Sequence, residues 1–323
     1  MKSKILLTGG TGFFGRALLR RFVSSGMATE SSICVLSRNP QRFRENYPEF
    51  SSCEGINFIQ SNIEDRNSLP WDEQFTHVLH GATDSTTGPQ LTPLHRFNQI
   101  LYGTALILDL AVATGAKRFL MTSSGGIYGP QPPELDCIPE TWLGCPPIDQ
   151  VSSAYSQAKR AAEHLCMLYQ DKYGLDTIIA RCFSFVGPDL PLNVHFAIGN
   201  FIRDALFSNS ITVAGDGTPL RSYLDQHDLA HWLWTLLENG HKGNIYNVGS
   251  DQAISIADLA YLVRDLIAPE KQVHIIGKAD PLSIRNRYIP NINKIQNMHN
   301  LRITISLEDA ISRTANSHLY PKN

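Results

Sequence analysis

Residues 4–22 read KILLTGGTGFFGRALLRRF, and how this stretch is understood decides the fold. An apolar run of strand length ends in glycines and passes directly into a segment with helical periodicity. Gly9, Gly12 and Gly15 stand in a GxxGxxG spacing across that junction, with Phe13 and Phe14 inside it. Glycines there permit a tight turn and let backbone N–H groups approach a pyrophosphate at the helix N-terminus. The competing reading is a purely structural strand–turn–helix junction. Its place at the head of a long alternating series favours dinucleotide binding.

Outward from that stretch, further strand-like runs follow at 32–38 (SICVLSR), 56–61 (INFIQS), 77–82 (HVLHGA), 118–124 (RFLMTSS) and 176–183 (DTIIARCF). Helical patterns lie between them, including 13–24, 98–113 and 153–172. Such alternation predicts βαβ units and a parallel sheet covered on both faces. Beyond VGPDLP (186–191) the pattern loosens. Prolines, short strands at 211–215 and 272–277 and a helix at 255–267 read as a smaller α/β lobe. No internal repeat is visible.

The bulk numbers exclude several classes. A chain of 323 residues with 42% hydrophobic content suits about two domains. With 28 basic and 30 acidic residues, net −2, it carries no nucleic-acid or membrane-surface footprint. No apolar stretch approaches the roughly 20 residues of a membrane span. The N-terminal MKSKILLTGGTG does not read as a signal peptide. Six scattered cysteines without a CxxC pair, and 11 histidines without HExxH, predict reduced thiols, a cytoplasmic location and no metal.

At the end of the second strand an acid would bind the ribose of NAD. Ser37 and Arg38 stand there instead. A guanidinium pairs with a 2′-phosphate, which puts NADP ahead of NAD. The alternatives are a solvated Arg38 or one that stacks on adenine.

Residues 155–159 read YSQAK, and their i, i+4 spacing puts Tyr155 and Lys159 on one helix face. A phenol titrates near 10, too high for a base at neutral pH. A neighbouring ammonium stabilises the phenolate and brings proton transfer within range. TSSGG (122–126) ends the strand before that helix, where ligands of parallel sheets gather. Ser124 is therefore a candidate partner for a sugar hydroxyl or carbonyl, with Gly125 and Gly126 leaving room for a substrate ring. A simple tight turn is the alternative.

Taken in order, TGGTGFFG (8–15), HGAT (80–83), the run from Gly103 to Gly129, YSQAK, ARCFSFVGP (180–188), GDGTPLRSYLDQHDLA (215–230) and YNVGSDQAISIADLA (246–260) resemble the extended short-chain dehydrogenase/reductase family of nucleotide-sugar epimerases and dehydratases. The resemblance implies a Rossmann-type doubly wound parallel sheet over 1–185, with a return near 222–248, and a smaller C-terminal α/β substrate lobe over 186–323. It implies a Ser124–Tyr155–Lys159 catalytic group. NADP or NAD would lie along Gly9, Gly12, Phe13, Phe14, Gly15, Ser37, Arg38, Asn62, Ile63, Gly81, Ala82, Thr83, Tyr155 and Lys159. A nucleoside-diphosphate sugar would meet Asp84, Ser124, Gly125, Gly126, Ser184, His195, Asn200, Arg221 and Arg287. Arg221 matches the arginine for the diphosphate. A homodimer would form through the helices at 98–113 and 153–172, with Leu101, Leu108, Leu165 and Leu168 as seam candidates.

Three departures shape the expected chemistry. Dehydratases of this kind, and the related decarboxylases, carry an acid just after the catalytic hydroxyl, where this chain has Gly125 and Gly126. Ser184 replaces the usual asparagine, and Asn62 replaces the acid that helps seat adenine. The expectation is a 4-epimerase acting through a 4-keto sugar. The alternatives are an NADPH-dependent 4-ketoreductase, with less support a 4,6-dehydratase, and outside enzymes a cofactor-sensing relative.

Overall fold

The computed structural model describes residues 2–83, 91–280 and 284–320. In chain order the first elements are β1 (Ser3–Thr8), α1 (Phe13–Ser24), β2 (Ser31–Ser37), α2 (Pro40–Asn46), α3 (Pro48–Ser51), β3 (Ile56–Gln60), β4 (His77–His80), α4 (Pro93–Ala113), β5 (Arg118–Ser124), α5 (Ala154–Tyr173) and β6 (Asp176–Cys182). There follow β7 (Phe185–Val186), α6 (Ala197–Phe207), β8 (Ser210–Val213), β9 (Leu220–Arg221), β10 (Leu224–Asp225), α7 (Gln226–Asn239), β11 (Ile245–Val248), β12 (Ile254–Ser255), α8 (Ile256–Ile267), β13 (Gln272–Ile275), β14 (Arg287–Tyr288), α9 (Asn293–His299) and α10 (Leu307–Leu319).

The chain divides into two compact units. The first comprises Met1–Ile127, Pro146–Arg181 and Ala230–Tyr246. Its seven-stranded sheet runs β11-β6-β5-β4-β1-β2-β3, with parallel registers from β3 through β2, β1 and β4 to β5. Leu6, Leu7, Val35, Val78, Leu79, Phe119 and Leu120 are all essentially inaccessible. Continuous apolar strands of this kind follow from a parallel sheet whose faces are both covered. Each such side chain contributes roughly 1.5–3 kcal/mol on burial.

Two helices differ from their expected limits. α4 starts at Pro93 rather than 98, because Thr92 caps it by accepting from the His95 N–H and Pro93 fits the first turn. α5 closes on Gly174, whose φ of 71° ends the helix in the left-handed region. These two helices pack on each other. Leu108 is fully buried in the chain's own core and Leu165 packs against that core. Leu108 is thereby corrected as a seam residue, since its surface is already spent inside the unit. Tyr102 and Leu168, 52% and 49% exposed on the same helices, remain on the surface.

The second unit comprises Tyr128–Cys145, Cys182–Leu229 and Asn247–Asn323. It holds small sheets: β8 with β13, β7 with β10, and β9 between β12 and β14. α6, α8 and α10 pack together beside β8. No helix among the described residues is long and apolar enough to cross a membrane.

Candidate active site

The glycines at the head of the first unit have distinct physical reasons. Gly9 has a φ of 74°, and a Cβ there would lie 2.6 Å from the carbonyl carbon of Gly81. A Cβ on Gly15 would lie 2.2 Å from the backbone of Gly10. Side chains are therefore excluded where the β1 turn meets the loop after β4, and where α1 leaves the turn. Gly12 is the N-cap of α1 and offers no side-chain cap to the first-turn N–H groups. That set of unshielded donors at a twelve-residue helix fits a pyrophosphate. The residues present thus suit a dinucleotide.

At the tip of β2, Ser37 is buried and its hydroxyl accepts from the Asn39 N–H, while Arg38 is exposed. Asn62 turns the chain after β3, its side-chain oxygen accepting from the Glu64 N–H. Ile63 packs against Gly103 of α4, where a Cβ would approach its Cδ1 to 2.8 Å. Phe13 and Phe14 pair at 5.9 Å between ring centroids.

Below the loop after β4 lies a polar network that the sequence reading did not single out. His80 is buried, with Nδ1 2.8 Å from Thr8 Oγ1 and Nε2 3.1 Å from Thr104 Oγ1. A neutral imidazole satisfies both hydroxyls. Burial, and then the positive charge of Lys159, push its pKa down to about 3. Thr8 Oγ1 also accepts from the Ala82 N–H, and the Gly81 N–H donates to the Thr8 carbonyl. The strand tips of β1 and β4 are thereby stitched together.

Lys159 is only 3% exposed. Its ammonium donates to the Thr122 carbonyl and to Thr83 Oγ1, both at 2.8 Å, and Thr83 in turn donates to the Ala82 carbonyl. The ammonium lies 6.0 Å from the centroid of the Tyr155 ring. Ser124 ends β5, and its hydroxyl accepts from the Gly126 N–H at 3.1 Å, which leaves its own proton to donate outward. The structure therefore gathers Ser124, Tyr155, Lys159, Thr83, Ala82, Gly81 and Gly9 at the ends of β1, β4 and β5. Gly126 differs from expectation. A Cβ there would meet Ser156 Oγ at 2.6 Å and Ser124 Oγ at 3.3 Å, so two hydroxyls occupy the space expected to be open. Gly125 begins a short 3-10 turn, Gly125–Tyr128.

The expected binding residues of the second unit are each engaged locally. Asn200 accepts from Arg203 at 3.1 Å, and Arg287 pairs with Asp136 at 2.9 Å. Arg221 donates to the Leu220 carbonyl. Burial lowers the pKa of its guanidinium, while Tyr223 and Tyr288 oppose that shift. His195 is exposed and lies against Phe196 with the rings tilted at 49° and their centroids 4.4 Å apart. Ser184 is half-buried, and its carbonyl accepts from the Leu224 N–H. Asp84 lies outside the described residues.

UDP-glucuronic acid decarboxylase 1 of Arabidopsis thaliana is 29% identical over 310 residues, which are 96% of this chain and 68% of that one. In fold, the chain is similar to UDP-glucuronic acid 4-epimerase of Bacillus cereus with NAD, at a TM-score of 0.82 and 21% identity, covering 98% and 99% of the two chains. It is likewise similar to a double mutant of dTDP-glucose 4,6-dehydratase from Streptomyces venezuelae with NAD and DAU bound, at 0.83 and 21%, covering 98% and 97%. The profile of the NAD dependent epimerase/dehydratase family matches residues 5–249. With that match spanning the glycine turn, the His80 network and the Tyr155–Lys159 helix, the chain belongs to the NAD dependent epimerase/dehydratase family.

Proposed function

We propose that this chain is a nucleotide-sugar 4-epimerase working through a 4-keto hexose. The observation that carries the reading is the side-chain inventory around Ser124. A hydroxyl, a phenol and a fixed ammonium are grouped at the end of β5, and no ionisable side chain stands at 125 or 126. A bound nicotinamide supplies the hydride acceptor. Tyr155 takes the proton of the C4 hydroxyl, and the Lys159 ammonium stabilises the phenolate that does so. Ser124 donates to the sugar oxygen. With the C4 hydride delivered back to the opposite face of the 4-keto sugar by the bound nicotinamide, and Tyr155 giving its proton back to the C4 oxygen, an epimerisation would be complete with no net change in the cofactor. Elimination at C6 needs an acid for the departing oxygen, and the space at Gly126 is held by the Ser156 hydroxyl instead. Arg221 is assigned to the diphosphate, a task that suits a guanidinium. Arg38 assigns the cofactor as NADP ahead of NAD.

The Arabidopsis relative supports a second reading. A uronic acid oxidised at C4 is a β-keto acid, which loses carbon dioxide without an added acid group. Mass spectrometry of the product from UDP-glucose and UDP-glucuronic acid separates these readings. Epimerisation leaves the mass unchanged. A loss of about 18 Da marks dehydration and overturns the proposal, and a loss of about 44 Da marks decarboxylation. A product formed from a 4-keto sugar with net consumption of NADPH would mark a reductase.

A further inference from the structure

Tyr155 and Lys159 share one helix, so the spacing of their backbones is set by α5 alone. The position of the ammonium is not. Lys159 hangs on the Thr122 carbonyl, which belongs to β5, and Ser124 belongs to the same strand. Any slide of β5 against α5 would move the ammonium and the serine relative to the phenol. Something must fix that register.

The residue between Thr122 and Ser124 does so. Ser123 is 4% exposed and donates to Glu163 Oε1 at 2.5 Å. Glu163 lies one helical turn beyond Lys159 on α5. Its carboxylate also receives Arg181 of β6, through Nε at 3.1 and 3.2 Å and through a terminal nitrogen at 2.7 Å. The charged side chains are 8% and 10% exposed. A buried ion pair is a poor means of stabilising a fold, because the desolvation of two charges offsets most of their attraction. Apolar side chains of similar volume would hold α5 on the sheet as well. What the carboxylate adds is direction: it accepts from one strand residue on each of two strands.

We propose that Glu163 is a positioning residue, whose carboxylate, held by Ser123 and Arg181, sets the register of β5 against α5 and thereby the place of the Lys159 ammonium beside Tyr155. This rests on the Tyr155–Lys159 reading given above. Ser123 and Arg181 act with it, through the same carboxylate.

The test needs no substrate. The absorbance of tyrosinate is titrated for the purified protein and for its Tyr155→Phe variant, and the difference reports the Tyr155 phenol alone. The same pair is then prepared in a Ser123→Ala/Glu163→Met/Arg181→Met background, which replaces the clamp by apolar groups. We expect that background to melt within a few degrees of the parent while its Tyr155 phenol titrates about one pH unit or more higher. An equally stable variant whose phenol titrates where the parent's does would overturn the proposal. If the triple variant fails to fold, Ser123→Ala alone decides. It deletes one hydroxyl and leaves the ion pair intact. A rise of several tenths of a pH unit, reversed in Ser123→Thr, supports positioning, and no rise overturns it. A parent phenol that titrates no lower than that of Lys159→Met would overturn the underlying Tyr155–Lys159 reading, and the clamp with it.

Discussion

The two units carry their functional candidates in opposite ways. In the first, the candidates lie along the ends of neighbouring elements: the Lys159 ammonium donates to Thr83 and to the Thr122 carbonyl and lies 6.0 Å from the Tyr155 ring centroid, while Ser124 ends the same strand as Thr122. In the second, Asn200, Arg221 and Arg287 each answer to a different local partner. Strand ends in a parallel sheet converge by construction, so residues placed there share a site automatically. Residues on short strands and connecting loops share one only when those segments are positioned individually. Disruption should therefore be severe and concentrated in the first unit, and mild and graded in the second.

The sharpest way to break that contrast is Tyr155→Phe. Turnover is expected to fall by roughly 10²–10⁴-fold, with the circular dichroism spectrum and cofactor binding retained, because one proton-transfer group is removed. Near-parental turnover would place the chemistry elsewhere. Arg38→Ala comes next. Binding of NADP, measured by titration, should weaken by roughly 1.5–3 kcal/mol while binding of NAD barely changes. Equal weakening of both would make Arg38 an adenine-stacking residue.

His80 tests the network beneath the site. Its folded pKa, near 3, lies below the ordinary 6.5, so the unfolded chain binds the proton more readily. The neutral ring thus adds stability that is complete above pH about 6.5 and is lost as pH falls towards about 3. The parent should lose about 2 kcal/mol more than His80→Gln between pH 6.5 and 5 in urea unfolding, at about 1.4 kcal/mol per pH unit. Parallel curves would mean that His80 is protonated in the fold. The smallest effect is expected for Arg287→Ala. Its partner Asp136 has a 97% exposed side chain, and such pairs contribute about 0–1 kcal/mol. A fall in substrate affinity well beyond that would assign Arg287 to the ligand after all.

Much of the first unit was legible because its signals are periodic. The glycine spacing, the alternation of strands and helices and the four-residue step from Tyr155 to Lys159 all follow from backbone geometry. The start of α4 was misplaced by five residues because its signal is a local Thr92–Pro93 cap rather than an apolar repeat. His80 went unremarked as a network residue because its partners Thr8 and Thr104 are 72 and 24 positions away in sequence. Gly126 was read as open space, yet the hydroxyl that fills it, Ser156, sits on the next helix. The pairing of Arg287 with Asp136 spans 151 positions and has no periodic trace at all.

Tyr155, Lys159 and Glu163 form a ladder of three rungs, four residues apart, on α5. An α-helix turns about 100° per residue, so one residue inserted or deleted between the first and last rung would swing the rungs beyond it away from β5 and β6. The fold can absorb a point substitution between the rungs, but the alignment of the rungs cannot absorb a change of length. Gaps in the chains of relatives sharing this ladder are therefore expected to fall outside 155–163. The span would serve as an anchor for aligning distant members.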